Sequence, residues 1–368
     1  MSDRIKKIKV KKADGSMTDY IPIGADAENI DFTNGYNLDQ IVGNINPDED
    51  GTLETQLSKI SDKVDKEEMK PNKNFDLKIG ATINKGTAAP ARWKDVLNNR
   101  FLKYFNSTIF GISITYDTNL NKVVIGDPDI AIEVAAFEDY IANGGICAGL
   151  KFHQSDQFKT WMDTYGAETI CNQYATAVLD FVNSLSFKNE IKTIWILNEV
   201  GNPVMSATYK TAIINLISQI QNAGYKCSCP YANAYAITDS DQDIIAAQDF
   251  LSLNLYPFQD FYEEHTNIRD MIERFNKEFR LIERYLLDYD LYITESGCSS
   301  SWKSFNNPPA YYQEGEGRPL ALWLTGLLNS DFIGWVKGIW IWYFYDFTTW
   351  NGEMLLNIKN NREVYYGA

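Results

Sequence analysis

Residues 192–199, Lys-Thr-Ile-Trp-Ile-Leu-Asn-Glu, and residues 290–296, Asp-Leu-Tyr-Ile-Thr-Glu-Ser, share one pattern: a short apolar run that arrives at a glutamate. A run of four to eight largely apolar residues between turn signals reads as a buried strand. Six further runs have this character, at 77–83, 108–116, 145–152, 225–232, 249–257 and 337–346. Helical patterns lie between most of them, at 90–105, 130–143, 167–185, 207–223, 267–287 and 319–328. Strands that alternate with helices imply parallel βαβ units. Eight such units, apolar on both strand faces, predict an α/β protein built as a closed (β/α)8 TIM barrel over residues 75–368. An open doubly wound sheet is the competing architecture. It calls for a Gly-rich phosphate loop after its first strand, and the segment after 77–83, Asn-Lys-Gly-Thr-Ala-Ala-Pro, does not supply one. Only about 22 residues follow the last run, so the eighth helix is expected to be short or absent.

Composition narrows the function. The chain has 368 residues and a formal net charge of −15, which disfavours nucleic acid as a partner, since phosphate binding needs a basic face. Hydrophobic residues make up 45% and aromatics 14%, with 9 Trp and 22 Tyr, enough for a large core and for flat apolar platforms of the kind that carry sugars. A Tyr-rich core explains the same numbers. No apolar run is long enough to span a membrane. The N-terminus, Met-Ser-Asp-Arg-Ile-Lys-Lys, lacks the apolar stretch of a signal peptide. The five cysteines, Cys147, Cys171, Cys227, Cys229 and Cys298, read as reduced thiols of a chain made in a cytoplasm. With only His153 and His265 present, no metal site is expected, and no cofactor.

In a barrel of this kind the site lies at the C-terminal ends of the strands. The fourth run ends on Asn198-Glu199 and the seventh reaches Glu295, so two carboxylates face each other across the barrel mouth. Cleaving a glycosidic bond needs that pair: one group protonates the leaving oxygen, while the other attacks the anomeric carbon or activates water. A glutamate ending a buried strand is otherwise a costly placement. Other residues at strand ends are candidates for sugar contacts. His153 ends the third run and Tyr256 the sixth. Trp340 and Trp342 share the inward face of the eighth run, with Ile339 and Ile341 on the other face. Trp161 and Trp350, expected on loops, are candidate platforms. By sequence, each of these side chains reads equally as packing.

The two glutamate motifs, Trp195-Ile-Leu-Asn-Glu-Val200 and Tyr292-Ile-Thr-Glu-Ser-Gly297, resemble those of clan A glycoside hydrolases, which carry Asn-Glu after strand four and Glu after strand seven. The resemblance implies a retaining mechanism: Glu199 as acid/base, Asn198 on the sugar 2-hydroxyl, Glu295 as nucleophile, and Tyr256 hydrogen-bonded to that nucleophile. Within the clan, Ile79-Gly80-Ala81-Thr82, Tyr104-Phe105-Asn106-Ser107, Lys151-Phe152-His153-Gln154 and the stretch from Gly338 to Trp342 with Trp350 are similar to the xylanase-type family ten. That family's Asn-Glu-Met-Lys-Trp after strand two is Ile112-Ser-Ile-Thr-Tyr116 here, its Trp-His is Phe152-His153, and its Asp after the nucleophile is missing. These departures remove contacts that would grip xylan.

Residues 1–50 hold short apolar runs broken by Asp14-Gly15, Asn34-Gly35 and Asp50-Gly51, which suggests small strands with little core. Residues 14–30 and 38–43 resemble N-terminal modules of bacteriophage tail and baseplate proteins, which anchor a variable C-terminal domain to the virion. Leu53, Leu57, Ile60 and Val64 within 51–74 form a helical seam that suits either one amphipathic helix or a short oligomerising stalk, for instance of a trimer. The expected organisation is a small β-rich anchor (1–50), a helix and linker (51–74) and the barrel (75–368). The expected protein is a tail-associated glycosidase of the phage virion, synthesised in the host cytoplasm. It would bind other tail or baseplate proteins through its N-terminus and cut a host surface polysaccharide. The alternative is a tail protein that binds host glycan in the same cleft without turnover.

Overall fold

The structure is a computed structural model that describes residues 10–11, 17–18, 77–85, 89–102, 105, 107–154, 157–199, 207–256, 268–296, 326–327 and 329–342. The chain divides into two units, Met1–Asn72 and Lys73–Ala368. In the first, β1 (Val10–Lys11) pairs antiparallel with β2 (Met17–Thr18), flanking Asp14-Gly15. The expected heptad helix lies outside the described residues.

The second unit is the predicted eight-stranded barrel. Its strands are β3 (Lys78–Ile83), β4 (Ser107–Asp117), β6 (Cys147–Gln154), β7 (Thr193–Trp195), β8 (Lys226–Ser228), β9 (Leu251–Leu255), β10 (Leu291–Ser296) and β11 (Val336–Ile341). Neighbours in the ring pair in parallel, and β11 returns to β3. The seam between β8 and β9 is closed by a single bridge, in which Tyr231 N donates to Ser252 O and Asn254 N donates to Tyr231 O. The helices α1 (Trp93–Val96), α2 (Ile130–Ala142), α3 (Phe158–Tyr165), α4 (Ala167–Ser184), α5 (Ala207–Asn222), α6 (Gln242–Ala247) and α7 (Ile268–Leu286) lie between strands. The longer ones bury a stripe at three- and four-residue spacing. In α4 the stripe is Ile170, Cys171, Tyr174, Ala175, Val178 and Val182.

Besides the short α6, two elements were not anticipated. Strand β4 runs past the expected end and folds back as β5 (Lys122–Ile125), an antiparallel hairpin. Asp117 accepts from the main-chain N of Asn119 and of Leu120, and Asn121 takes φ 51° to complete the turn. Helix α3 occupies the segment read as a loop, and it carries Trp161 into the core against Phe158 and Tyr116.

Alternation inside the barrel sorts the side chains into layers. Ile109, Trp195, Phe250 and Trp340 form a separate inner cluster, while Ile339 and Ile341 face the helices. Trp195 and Trp340 meet edge to face with centroids 5.6 Å apart, and Tyr292 stacks on Trp340. Rings this large fit because the facing strands carry glycine. A Cβ on Gly80 would lie 2.1 Å from Ser107 O and 2.7 Å from Trp340 Cδ1. The layer above this aromatic floor is polar.

Candidate active site

Strand β7 stops at Trp195, and the next four residues turn sharply. Leu197 and Glu199 take φ 52° and 54°, the left-handed region that non-glycine residues avoid. Such strain persists only where the surroundings enforce it. Here Tyr174 on α4 accepts from Leu197 N at 3.2 Å while donating to Phe152 O, and Gln154 donates to Asn198 O at 2.6 Å. The turn brings two side chains to one donor. Asn254 Nδ2 reaches Asn198 Oδ1 at 3.0 Å and Glu199 Oε1 at 3.1 Å. Glu199 itself is exposed at the barrel mouth.

Strand β10 carries a bulge. Ile293 pairs with Leu253 and Glu295 with Asn254, so β10 uses two residues where β9 uses one. Consecutive strand residues normally point to opposite faces. The bulge instead lets Thr294 and Glu295 both meet the Lys151 ammonium, at 3.1 and 2.5 Å. Lys151 also reaches Asn254 Oδ1 at 3.0 Å, and Thr294 donates to that oxygen at 2.9 Å. Tyr256 donates to Glu295 Oε2 at 3.0 Å.

The two carboxylates therefore have different settings. Glu295 is 4% exposed. Burial pushes its carboxyl up, opposed by the Lys151 charge and hydrogen bond, then reinforced by the charge of Glu199, with Tyr256 pulling down. Burial also pushes the Lys151 ammonium down, against the attraction of Glu295 and Glu199. With N and O 2.5 Å apart and every lysine proton donated, the pair is best described as ionised. His153 Nδ1 lies 3.9 Å from Glu295 Oε1. Burial, and then the Lys151 charge, hold that imidazole well below its usual range, hence neutral. Its Nε2 packs over Gly111 and has no hydrogen-bond partner among the described residues.

Of the residues singled out from sequence, the structure brings together Asn198, Glu199, Glu295, Tyr256 and His153, and it sets the Trp342 ring 5.6 Å from that of His153. It does not offer Trp340 or Trp161 to a ligand. Trp340, 1% exposed, is part of the barrel floor, and Trp161, 7% exposed, is part of the core. Inward alternation placed Trp340 one layer too deep, and α3 turned Trp161 inward. Trp350 lies outside the described residues. Sequence reading missed Lys151, Asn254, Thr294 and Gln154. A signal for two of them was present: Lys151 lies two residues before His153, and Asn254 two before Tyr256, so each shares its strand face with a candidate already chosen.

No protein-family profile matches the chain, and no curated protein matches it. Solved structures do. An endo-1,4-β-mannanase from Rhizomucor miehei superposes with a TM-score of 0.53 at 11% identity, over 79% of this chain and 95% of that one. A family 18 chitinase from Flavobacterium johnsoniae gives 0.52 at 13% identity, over 78% and 94%. A family 5 endo-β-1,4-glucanase from Bacillus licheniformis gives 0.51 at 10% identity, over 80% and 60%. At these identities the likeness is one of fold: the chain shares the barrel that these glycoside hydrolases use.

Proposed function

We propose that residues 75–368 are a retaining glycoside hydrolase acting on a host cell-surface polysaccharide, carried on a phage tail by the N-terminal module. The observation that carries the enzymatic reading is the unequal pair. Glu295 is buried with a donor on each oxygen, while Glu199 stands exposed at the mouth, held by Asn254. The first suits a nucleophile that must stay ionised, the second a group that trades protons with water. The barrels it resembles are named for polysaccharide substrates, mannan, chitin and glucan. The tail assignment, the binding of tail or baseplate partners, the virion location and a trimeric state rest on the sequence resemblance of residues 1–50 and the seam at 53–64.

In the first step a Glu295 oxygen bonds to the anomeric carbon. The glycosidic C–O bond breaks, and the leaving oxygen takes the proton of Glu199. In the second step water gives a proton to Glu199 and its oxygen displaces Glu295 from the anomeric carbon. On this reading Asn198 and His153 hold sugar hydroxyls and Trp342 floors the subsite. No cofactor enters these steps.

Glu295→Gln is expected to abolish release of reducing ends from purified host polysaccharide while leaving binding intact. An unimpaired variant ends the assignment of the nucleophile. The product anomer, read by NMR at early times, tests retention. One observation favours a second reading, in which the cleft binds glycan without turnover: an ammonium 2.5 Å from Glu295 damps its nucleophilicity. Wild-type protein that retains glycan but releases no reducing ends establishes that reading instead.

A further inference from the structure

Lys151 takes no part in the steps above, yet its charge is taken wholly out of water. The residue is fully buried on β6, in register with Trp195 of the aromatic floor and bonded to Glu295. A buried ammonium is costly unless its charge and all its protons are matched. It has three protons to donate, and three acceptors receive them: Asn254 Oδ1, Thr294 Oγ1 and Glu295 Oε1. With no free lone pair and no exposure, Lys151 cannot itself attack a substrate carbon.

The consequences fall on both carboxylates. Glu295 is shut away from water, and a carboxyl in that setting keeps its proton unless a positive charge adjoins it. Among the described side chains facing it, Lys151 is the cation. His153 is held neutral, Tyr256 supplies a neutral hydroxyl, and Glu199 adds negative charge. The second consequence runs through Asn254. Its Oδ1 is occupied by two donors, Lys151 and Thr294, so the amide must present its NH2 to the other side. That NH2 is what meets Asn198 Oδ1 and Glu199 Oε1. One ammonium thereby fixes one carboxylate directly and the other through the polarity of an amide.

We propose that Lys151 is the positioning residue of this site, holding Glu295 as a carboxylate and orienting Asn254 so that its amide grips Asn198 and Glu199. The proposal rests on the reading of Glu295 as the nucleophile.

The test is a titration of Glu295 itself, independent of turnover. Carboxyl-carbon NMR of glutamate-labelled full-length protein, with Glu295 assigned by its loss in Glu295→Gln, follows its ionisation. In the wild type Glu295 is expected to be ionised at neutral pH, and finding it protonated overturns the proposal without any variant. In Lys151→Met, Glu295 is expected to titrate about one pH unit or more higher, and the acidic limb of kcat/KM should move up with it. Lys151→Gln, which keeps a donor without the charge, should show the same upward shift, and it serves if the methionine variant does not fold. A Glu295 that titrates identically in wild type and a folded variant overturns the proposal. A shifted titration in a protein that cuts no glycan would sink the glycosidase reading while leaving the role of Lys151 standing.

Discussion

Gln154, at the end of the third barrel strand, donates its amide Nε2 to the main-chain carbonyl of Asn198 at 2.6 Å. That single bond ties β6 to the strained turn after β7. Left-handed φ at Leu197 and Glu199 costs on the order of 1–3 kcal/mol per residue. The cost is tolerated because Gln154 holds the middle of the turn while Tyr174 holds its start. Relaxed, the turn would swing Asn198 and Glu199 away from Asn254.

Gln154→Leu removes the donor and keeps the volume. The turn then loses one of its backbone ties, and the placement of Glu199, the proposed acid/base, loosens more than the fold does. The expected result is a kcat lower by about tenfold or more, with KM changed far less, because misplacement by an ångström is enough for losses of that size. Stability should fall by only about 1 kcal/mol. Steady-state kinetics and a urea melt check both. Equal losses in kcat and stability-corrected folded fraction would mean that Gln154 merely supports the fold.

The barrel was legible because its signals are local and repeated. Each strand announces itself as an apolar run, and 192–199 and 290–296 place their glutamates without reference to any other segment. What escaped notice was set by tertiary registration. Thr294 and Glu295 meet the same ammonium because of a bulge, which breaks the alternation a sequence reading must assume. The eight runs were read as apolar throughout, yet Lys151, Asn254 and Thr294 form a saturated polar layer inside them. A lysine in mid-strand looks like an edge or a solvated face until its acceptors, over a hundred residues away, are known. Trp161 failed for a related reason: only the packing of α3 against Tyr116 and Phe158 decides that it points inward.

The aromatic floor makes a prediction about Gly80. A methyl group there would sit 2.1 Å from the Ser107 carbonyl, which is main chain and cannot step aside, and 2.8 Å from Trp340 Nε1. Gly80→Ala should therefore destabilise the barrel by about 3 kcal/mol or more, at the severe end for one added methyl. Chemical denaturation gives the value. A loss under about 1 kcal/mol would mean that β3 and β4 can separate locally without cost.

Away from the cleft, Glu133 in the first turn of α2 is fully buried beside the Asp127 carboxyl. Burial pushes its pKa up to about 8, the charge of Asp127 and a hydrogen bond with it act the same way, Lys85 opposes, and Asp129 adds a smaller upward push. The sign follows from proton linkage. The folded chain binds this proton more tightly than the unfolded chain, whose carboxyl titrates near 4.5. The stabilisation is therefore complete below about 4.5 and is lost as pH rises through about 8. Glu133→Gln carries no charge at any pH and escapes that loss. Melting curves should nearly coincide at about pH 4 and separate progressively toward about pH 9, where the variant should melt at least ~3 °C higher. Curves that stay parallel across the range would show that Glu133 ionises in the folded protein as freely as in the unfolded one.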